Sequence, residues 1–263
     1  MKRHSLLALN SAIVLACLLG LWQAVVSLNH LPKYILPGPV AVAHAVHDRF
    51  PSLLNSLAIT TQEAAGGLAA SIVVGVAAAM VFAQWHWLRK LLYPYTILLQ
   101  TVPIVAIAPL IINWLGAGMS SVTIVTFIIS LAPIIANTTQ GLISVDQNLI
   151  HLFVMYKATP AQILFKLRLP NSLPNLFTGI RISAGISVIG AITGELFASS
   201  TRVGEGGLGY AITYASNQME TAYLFALVFA AAMLGFSFFF TVMFVEWMAL
   251  HKWHESKLPQ MAE

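Results

Sequence analysis

Two carboxylates, Glu63 and Glu195, lie inside long hydrocarbon-like stretches of the chain, and a cluster of charge, Asp146, Lys157, Lys166, Arg168 and Arg181, arrives together with Pro160, Pro170 and Pro174. An ionisable group at membrane depth is costly, so each carboxylate is a candidate for a transport pathway. Interhelical hydrogen bonding or an outer vestibule accounts equally well for Glu63, and packing or gating for Glu195 beside Gly194. Gln100, Thr101, Asn113, Asn137 and Thr138 add polar groups that must face protein or water, so a subset of them is expected to line a path, with interhelical contact as the alternative for any one. None of this is covalent chemistry. The eight histidines fall outside the apolar stretches and show no metal-ligand spacing. No lysine follows a glycine, so a phosphate-cradling Gly-x-x-x-x-Gly-Lys-Ser/Thr loop is absent and any ATP hydrolysis must come from another polypeptide.

The elements that position these residues are apolar helices. With 58% hydrophobic and 8% charged residues over 263 positions, the chain is an integral membrane protein, since charged residues make up about a quarter of an ordinary soluble domain. Short alternating strands of a β-barrel are not visible. The reading is an all-α membrane protein, one domain over 1–263, with six spans at 5–27, 53–83, 91–115, 121–145, 173–198 and 222–249. Leu91 to Val145 carries no Asp, Glu, Lys or Arg and would run about 80 Å as one helix, so it must fold back, with Gly116 to Ser120 as the turn. Pro103, Pro109 and Pro133 are expected to kink their helices. The first apolar run is too long for a secretory h-region of about 7 to 15 residues, which favours a retained helix.

Charge placement orients the spans. With the N-terminus inside, Lys2, Arg3, Arg89, Lys90, Lys157, Lys166, Arg168, Lys252 and Lys257 are cytoplasmic, against Lys33, Arg49 and Arg202 outside. This asymmetry puts both termini and the 146–172 segment in the cytoplasm. Trp85, Trp87, Trp247 and Trp253 then sit at the inner boundary as interfacial anchors. Val40 to Phe50, after Pro37-Gly38-Pro39, reads as an interfacial helix on the outer side.

The 146–172 segment reads as two short helices split at Thr159-Pro160 and ending at Leu169-Pro170. Ile163, Leu164 and Leu167 form one apolar face that would lie on the membrane or dock into a partner's groove. A plain interfacial loop is the alternative. Here Val145-Asp146, Leu149, Ala158-Thr159, Phe165-Lys166, Leu169-Pro170, Leu173-Pro174 and Thr178-Gly179-Ile180-Arg181 resemble the cytoplasmic coupling loop of ABC importer permeases, the binding-protein-dependent inner-membrane components. Gly190 to Glu195 and Gly207-Leu208-Gly209-Tyr210 are similar to the subgroup importing nitrate, taurine, sulfonates and thiamine-precursor pyrimidines.

The resemblance implies a permease homodimer with two copies of a separate ATPase subunit and an extracytoplasmic solute-binding protein. ATP and Mg would belong to the ATPase, and no cofactor to this chain. It also implies that Tyr156, Lys157, Ala158, Thr159 and Pro160 meet the ATPase, supported by Phe165, Lys166 and Arg168, and that Gly204 to Tyr210 lies near the binding-protein side. The family pattern carries Glu-Ala-Ala and, four residues on, Gly. This chain has His151-Leu152-Phe153 and Lys157 there, which predicts a different end for the first short helix, because glycine alone enters left-handed backbone without cost. A secondary carrier working without ATP, which would need inverted repeats, and a membrane-embedded enzyme, which would need clustered catalytic groups, remain the competing readings.

Overall fold

The structure, a computed structural model, describes residues 2–29, 32, 34–198 and 206–251, and every structural statement below refers to these residues. Lys33, Arg202, Lys252, Trp253, Lys257 and the Val203 to Glu205 part of the glycine-rich loop lie outside them. The described chain is helical: α1 (Lys2–Leu28), α2 (Pro39–Asp48), α3 (Phe50–Gln84), α4 (His86–Thr101), α5 (Ile104–Leu115), α6 (Met119–Ile143), α7 (Gln147–Met155), α8 (Pro160–Ile163), α9 (Leu169–Phe197), α10 (Leu208–Asn217) and α11 (Thr221–Leu250). A π turn, Leu164–Arg168, joins α8 to α9. Four stretches are long and apolar enough to cross a bilayer: α3, α6, the run Pro160–Phe197 and α11. The α4 and α5 pair makes a fifth if it counts as one span.

Helix α6 is the centre of the bundle. On one side it packs parallel to α3, where Gly67 faces Thr126 and Gly75 faces Ile134. On the other it packs antiparallel to α9, where Gly179 faces Pro133 and Ile134, Gly190 faces Thr126 and Gly194 faces Val122. A Cβ at these positions would meet α6 at 3.0 Å or less, so the missing side chains are what let the backbones approach. Lipid tails are as apolar as leucine, and close packing therefore replaces the hydrophobic drive between spans. Ser71 adds a hydrogen bond from α3 to the Phe127 carbonyl at 2.8 Å, and Ser183 one from α9 to the Ser130 carbonyl at 2.7 Å.

The expected third span is two helices. Val102 is extended (ψ 123°) before Pro103, and α4 and α5 meet at a 98° bend. Pro103 has no N–H to continue α4 and disfavours helical backbone at the residue before it. Pro109 and Pro133 lie within α5 and α6. The turn at Gly116 forms as expected, with φ 86° and its N–H donating to the Ile112 carbonyl.

The fifth span also differs from expectation. Helix does not stop at Leu169-Pro170; it runs from Pro160 to Phe197. In the π turn the Leu169 N–H reaches back five residues to the Leu164 carbonyl. Such a widened turn is the local adjustment that admits a proline without ending the helix. The 40–50 stretch is helical as far as Asp48, the end of α2, and Phe50 already opens α3. Trp85, Trp87 and Trp247 are exposed, at the α3–α4 junction and near the end of α11. Helix α10, inside a stretch read from sequence as a loop, is an unanticipated element.

Candidate functional site

Two places combine unusual residue types with defined geometry, at opposite ends of α3. At its N-terminal end Thr60 and Glu63 occupy one face of α3, a turn apart, and Glu195 comes from the last turn of α9. The Thr60 hydroxyl donates to Glu195 Oε1 at 2.6 Å, and the Glu63 carboxyl group is the neighbour of the Glu195 carboxyl group. Glu63 and Glu195 are 3% and 5% exposed, too buried to be surface charges.

The cluster is spent on the start of α10. Gly209 N–H donates to Glu195 Oε2 at 2.5 Å, and Leu208 N–H donates to Thr60 Oγ1 at 2.8 Å. Ser56, one turn before Thr60, donates to the Gly206 carbonyl at 3.1 Å. The first N–H groups of a helix have no partner within it, and a carboxylate there also meets the positive end of the helix dipole. Glu195 therefore acts as a cap supplied from a different helix. A Cβ on Gly207 or Gly209 would collide with the Glu195 side chain, which explains the Gly-x-Gly spacing by packing. Gly194 likewise lets α9 approach Val122, as its position beside Glu195 suggested.

The remaining pathway candidates do not join this cluster through any described hydrogen bond. Gln100 and Thr101 are exposed at the end of α4, where Thr101 donates to the Leu98 carbonyl of its own helix. Asn113 is exposed on α5. Asn137 donates to Pro133 one turn back at 2.8 Å. Thr138 is fully buried and its hydroxyl has no partner. The sequence named both glutamates, but not Thr60 or Ser56, whose types are ordinary in a packed helix.

At the other end of α3, residues 146–168 form a stiff projection between α6 and α9. Asp146 caps α7 by accepting from Asn148 N–H at 2.9 Å. Thr159 and Gln162 cap α8 reciprocally: Gln162 N–H donates to Thr159 Oγ1 at 3.3 Å, and Thr159 N–H to Gln162 Oε1 at 2.8 Å. Pro160 fits the first helical position, where no N–H is required. Leu164 is buried against Ala79, Ala83 and Leu142, so the expected apolar face docks at its centre on this chain's own α3 and α6.

The expected change at the end of α7 does not occur. Lys157 adopts φ 54°, Lys157 N–H donates to the Val154 carbonyl at 2.9 Å, and Ala158 N–H to the Phe153 carbonyl at 3.0 Å. These two bonds are the Schellman ending that glycine usually supplies, made here by a lysine at some conformational cost. Met219 (φ 56°) closes α10 in the same way, bonding Ser216 while Glu220 bonds Ala215.

The projection's residues divide into two groups. Met155 and Tyr156 are 80% and 82% exposed, and Lys157, Thr159, Pro160, Phe165 and Lys166 are exposed with them, whereas Ala158 is half-buried. Arg168 points inward: its Nη1 donates to the Ala83 carbonyl in the last turn of α3 at 2.6 Å. A cation there satisfies an orphan carbonyl and the negative end of the helix dipole.

Residues 71–250 match the family described as binding-protein-dependent transport system inner membrane component. The chain is 31% identical to the formylaminopyrimidine transport permease protein of Halalkalibacterium halodurans, over 89% of this chain and 92% of that one. It is 32% identical to the riboflavin transport system permease protein of Chloroflexus aurantiacus, over 89% and 86% of the two chains. Its fold matches a solved inward-facing MetNI methionine ABC transporter with a TM-score of 0.57 and 18% identity, covering 75% of this chain and 98% of that one.

Proposed function

The chain belongs to the binding-protein-dependent transport system inner membrane component family, and from that premise we propose that it is the membrane-spanning subunit of an ATP-driven importer of a small polar organic solute. Similar proteins are named as transport permeases, so this is a transport protein and not an enzyme, which disposes of the membrane-embedded enzyme. In this reading the solute is a thiamine-precursor pyrimidine, a sulfonate such as taurine, or nitrate, delivered by an extracytoplasmic binding protein. Two copies of the permease work with two copies of an ATPase subunit that holds ATP and Mg, and no cofactor resides in this chain.

The observation that carries the reading is the exposed tip of the projection, Met155 and Tyr156, at the end of α7, a helix capped at both ends. Exposed apolar side chains on a rigid support suit a partner groove better than a loop lying in water. Leu164 and Arg168 fasten the projection to α3 and α6, so a displacement of the tip moves those helices as bodies. The excess of Lys and Arg supports a cytoplasmic projection and cytoplasmic termini. With α3 and α6 parallel, the α4 and α5 pair then crosses once between them, and α1 completes six crossings.

The test is isolation of the full chain from its native membrane in mild detergent, followed by subunit identification and an ATPase assay. A stoichiometric ATPase subunit, lost with Tyr156→Asp while the helical content is kept, is the expected result. A chain that isolates alone in several detergents would favour a carrier working without ATP.

A further inference from the structure

A cavity of about 410 Å³ lies beside α10 at the N-terminal end of α3, lined by Arg49, Asn55, Ser56, Tyr210, Tyr214 and Tyr223 among others. Tyr210 and Tyr214, one turn apart on α10 with their rings stacked at 6.4 Å, also line a second cavity of about 240 Å³ that reaches Glu195 and Asn217. The two tyrosines thus stand between an outer recess and the capping cluster.

Three features define what the larger cavity fits. Its volume lies within the range of small-molecule sites, about 300 to 1,000 Å³. Three phenol rings from α10 and α11 give it flat walls carrying hydroxyl groups, the surface on which a planar ring stacks. Its only cation among the described residues, Arg49, is ion-paired with Glu220 and lies over the Tyr223 ring at 5.0 Å. The guanidinium is therefore already engaged by a carboxylate, with which an anion would have to compete.

The walls are preorganised. Ser56 ties α3 to Gly206, and Glu195 and Thr60 hold the first turn of α10, so Tyr210 is set by the same bonds that cap the helix. Along α3, at 1.5 Å per residue, the cavity lies about 40 to 50 Å from the projection's anchor at Ala83. With the projection cytoplasmic, the cavity is on the side where solute arrives.

We propose that this cavity is a solute-contact site for a small, planar, uncharged nitrogen heterocycle, with Tyr210 and Tyr214 as its stacking wall. The inference rests on the transport reading and narrows it: a heteroaromatic solute suits the site, whereas a sulfonate or nitrate meets a cation already paired.

The test uses the full chain in lipid nanodiscs and saturation-transfer NMR, with 4-amino-2-methylpyrimidine as probe and methanesulfonate as its anionic counterpart. Saturation should pass to the pyrimidine ring protons and not to methanesulfonate. Tyr214→Ala should weaken pyrimidine binding about tenfold, since it removes one ring contact with its buried area, while Tyr214→Phe should keep it. Glu220→Gln, which releases Arg49, should make methanesulfonate visible. No pyrimidine signal, or a signal unchanged in Tyr214→Ala with thermal unfolding as in the parent, would overturn the site. Co-isolation of an ATPase subunit separates the two levels: with the partner present and pyrimidine unbound the site falls and the transport reading stands, and the reverse result leaves the site and removes the transporter.

Discussion

Thr60 and Glu195, 135 residues apart in sequence, meet through a 2.6 Å hydrogen bond, and the same two side chains receive the Leu208 and Gly209 N–H groups that open α10. One bond between α3 and α9 thus sets the position of a third helix. The Gly207-Leu208-Gly209 spacing and the Gly194-Glu195 pair are the two halves of this joint.

Glu195→Ala should free the start of α10. A hydrogen bond contributes about 0.5 to 1.5 kcal/mol net, and Glu195 takes one from Thr60 and one from Gly209. Hydrogen exchange should rise across 207–214 with little change in α6. Uniform protection in the variant would show that α10 is held by its apolar contacts instead.

Gly209→Ala and Gly235→Ala should differ sharply. A Cβ at Gly209 would strike the Ile192 carbonyl and Glu195, while at Gly235 nothing lies within 4 Å. Overpacking of this kind costs about 1 to 3 kcal/mol. Thermal unfolding in detergent should therefore fall for the first variant and stay level or rise for the second.

Lys157→Gly should stabilise the projection by about 1 kcal/mol, because glycine takes φ 54° without the Cβ penalty that lysine bears. Limited proteolysis across 147–160 should slow. Faster cleavage would mean that the lysine side chain itself fastens the turn.

Tyr156→Asp and Arg168→Ala should fail in different ways. Tyr156 is 82% exposed, so its variant should keep the fold and lose the ATPase subunit on isolation. Arg168→Ala removes the bond to the Ala83 carbonyl and should lower stability by about 1 to 3 kcal/mol before any partner is considered. Lys166, exposed beside it, is the cleaner site for a charge reversal.

Residue order by itself determined the membrane class, the apolar stretches, the turn at Gly116, the break near Pro103 and the split at Thr159-Pro160. These follow from composition, helical period and the local behaviour of glycine and proline, which act within a few residues of themselves. Family membership was also legible, in short matches spread along the chain.

Only the tertiary structure decided that Glu63 and Glu195 share one cluster, that Arg168 turns inward to α3 while Tyr156 and Lys166 face out, that helix continues through Pro170, and that α10 exists. Each of these depends on where α3, α6 and α9 cross, and the crossings are fixed by glycines such as Gly67, Gly179 and Gly190 meeting α6 side chains and backbone far away in sequence. A glutamate in an apolar stretch announces that it needs a partner, because its burial is costly. Which partner it finds is a property of the packed helices.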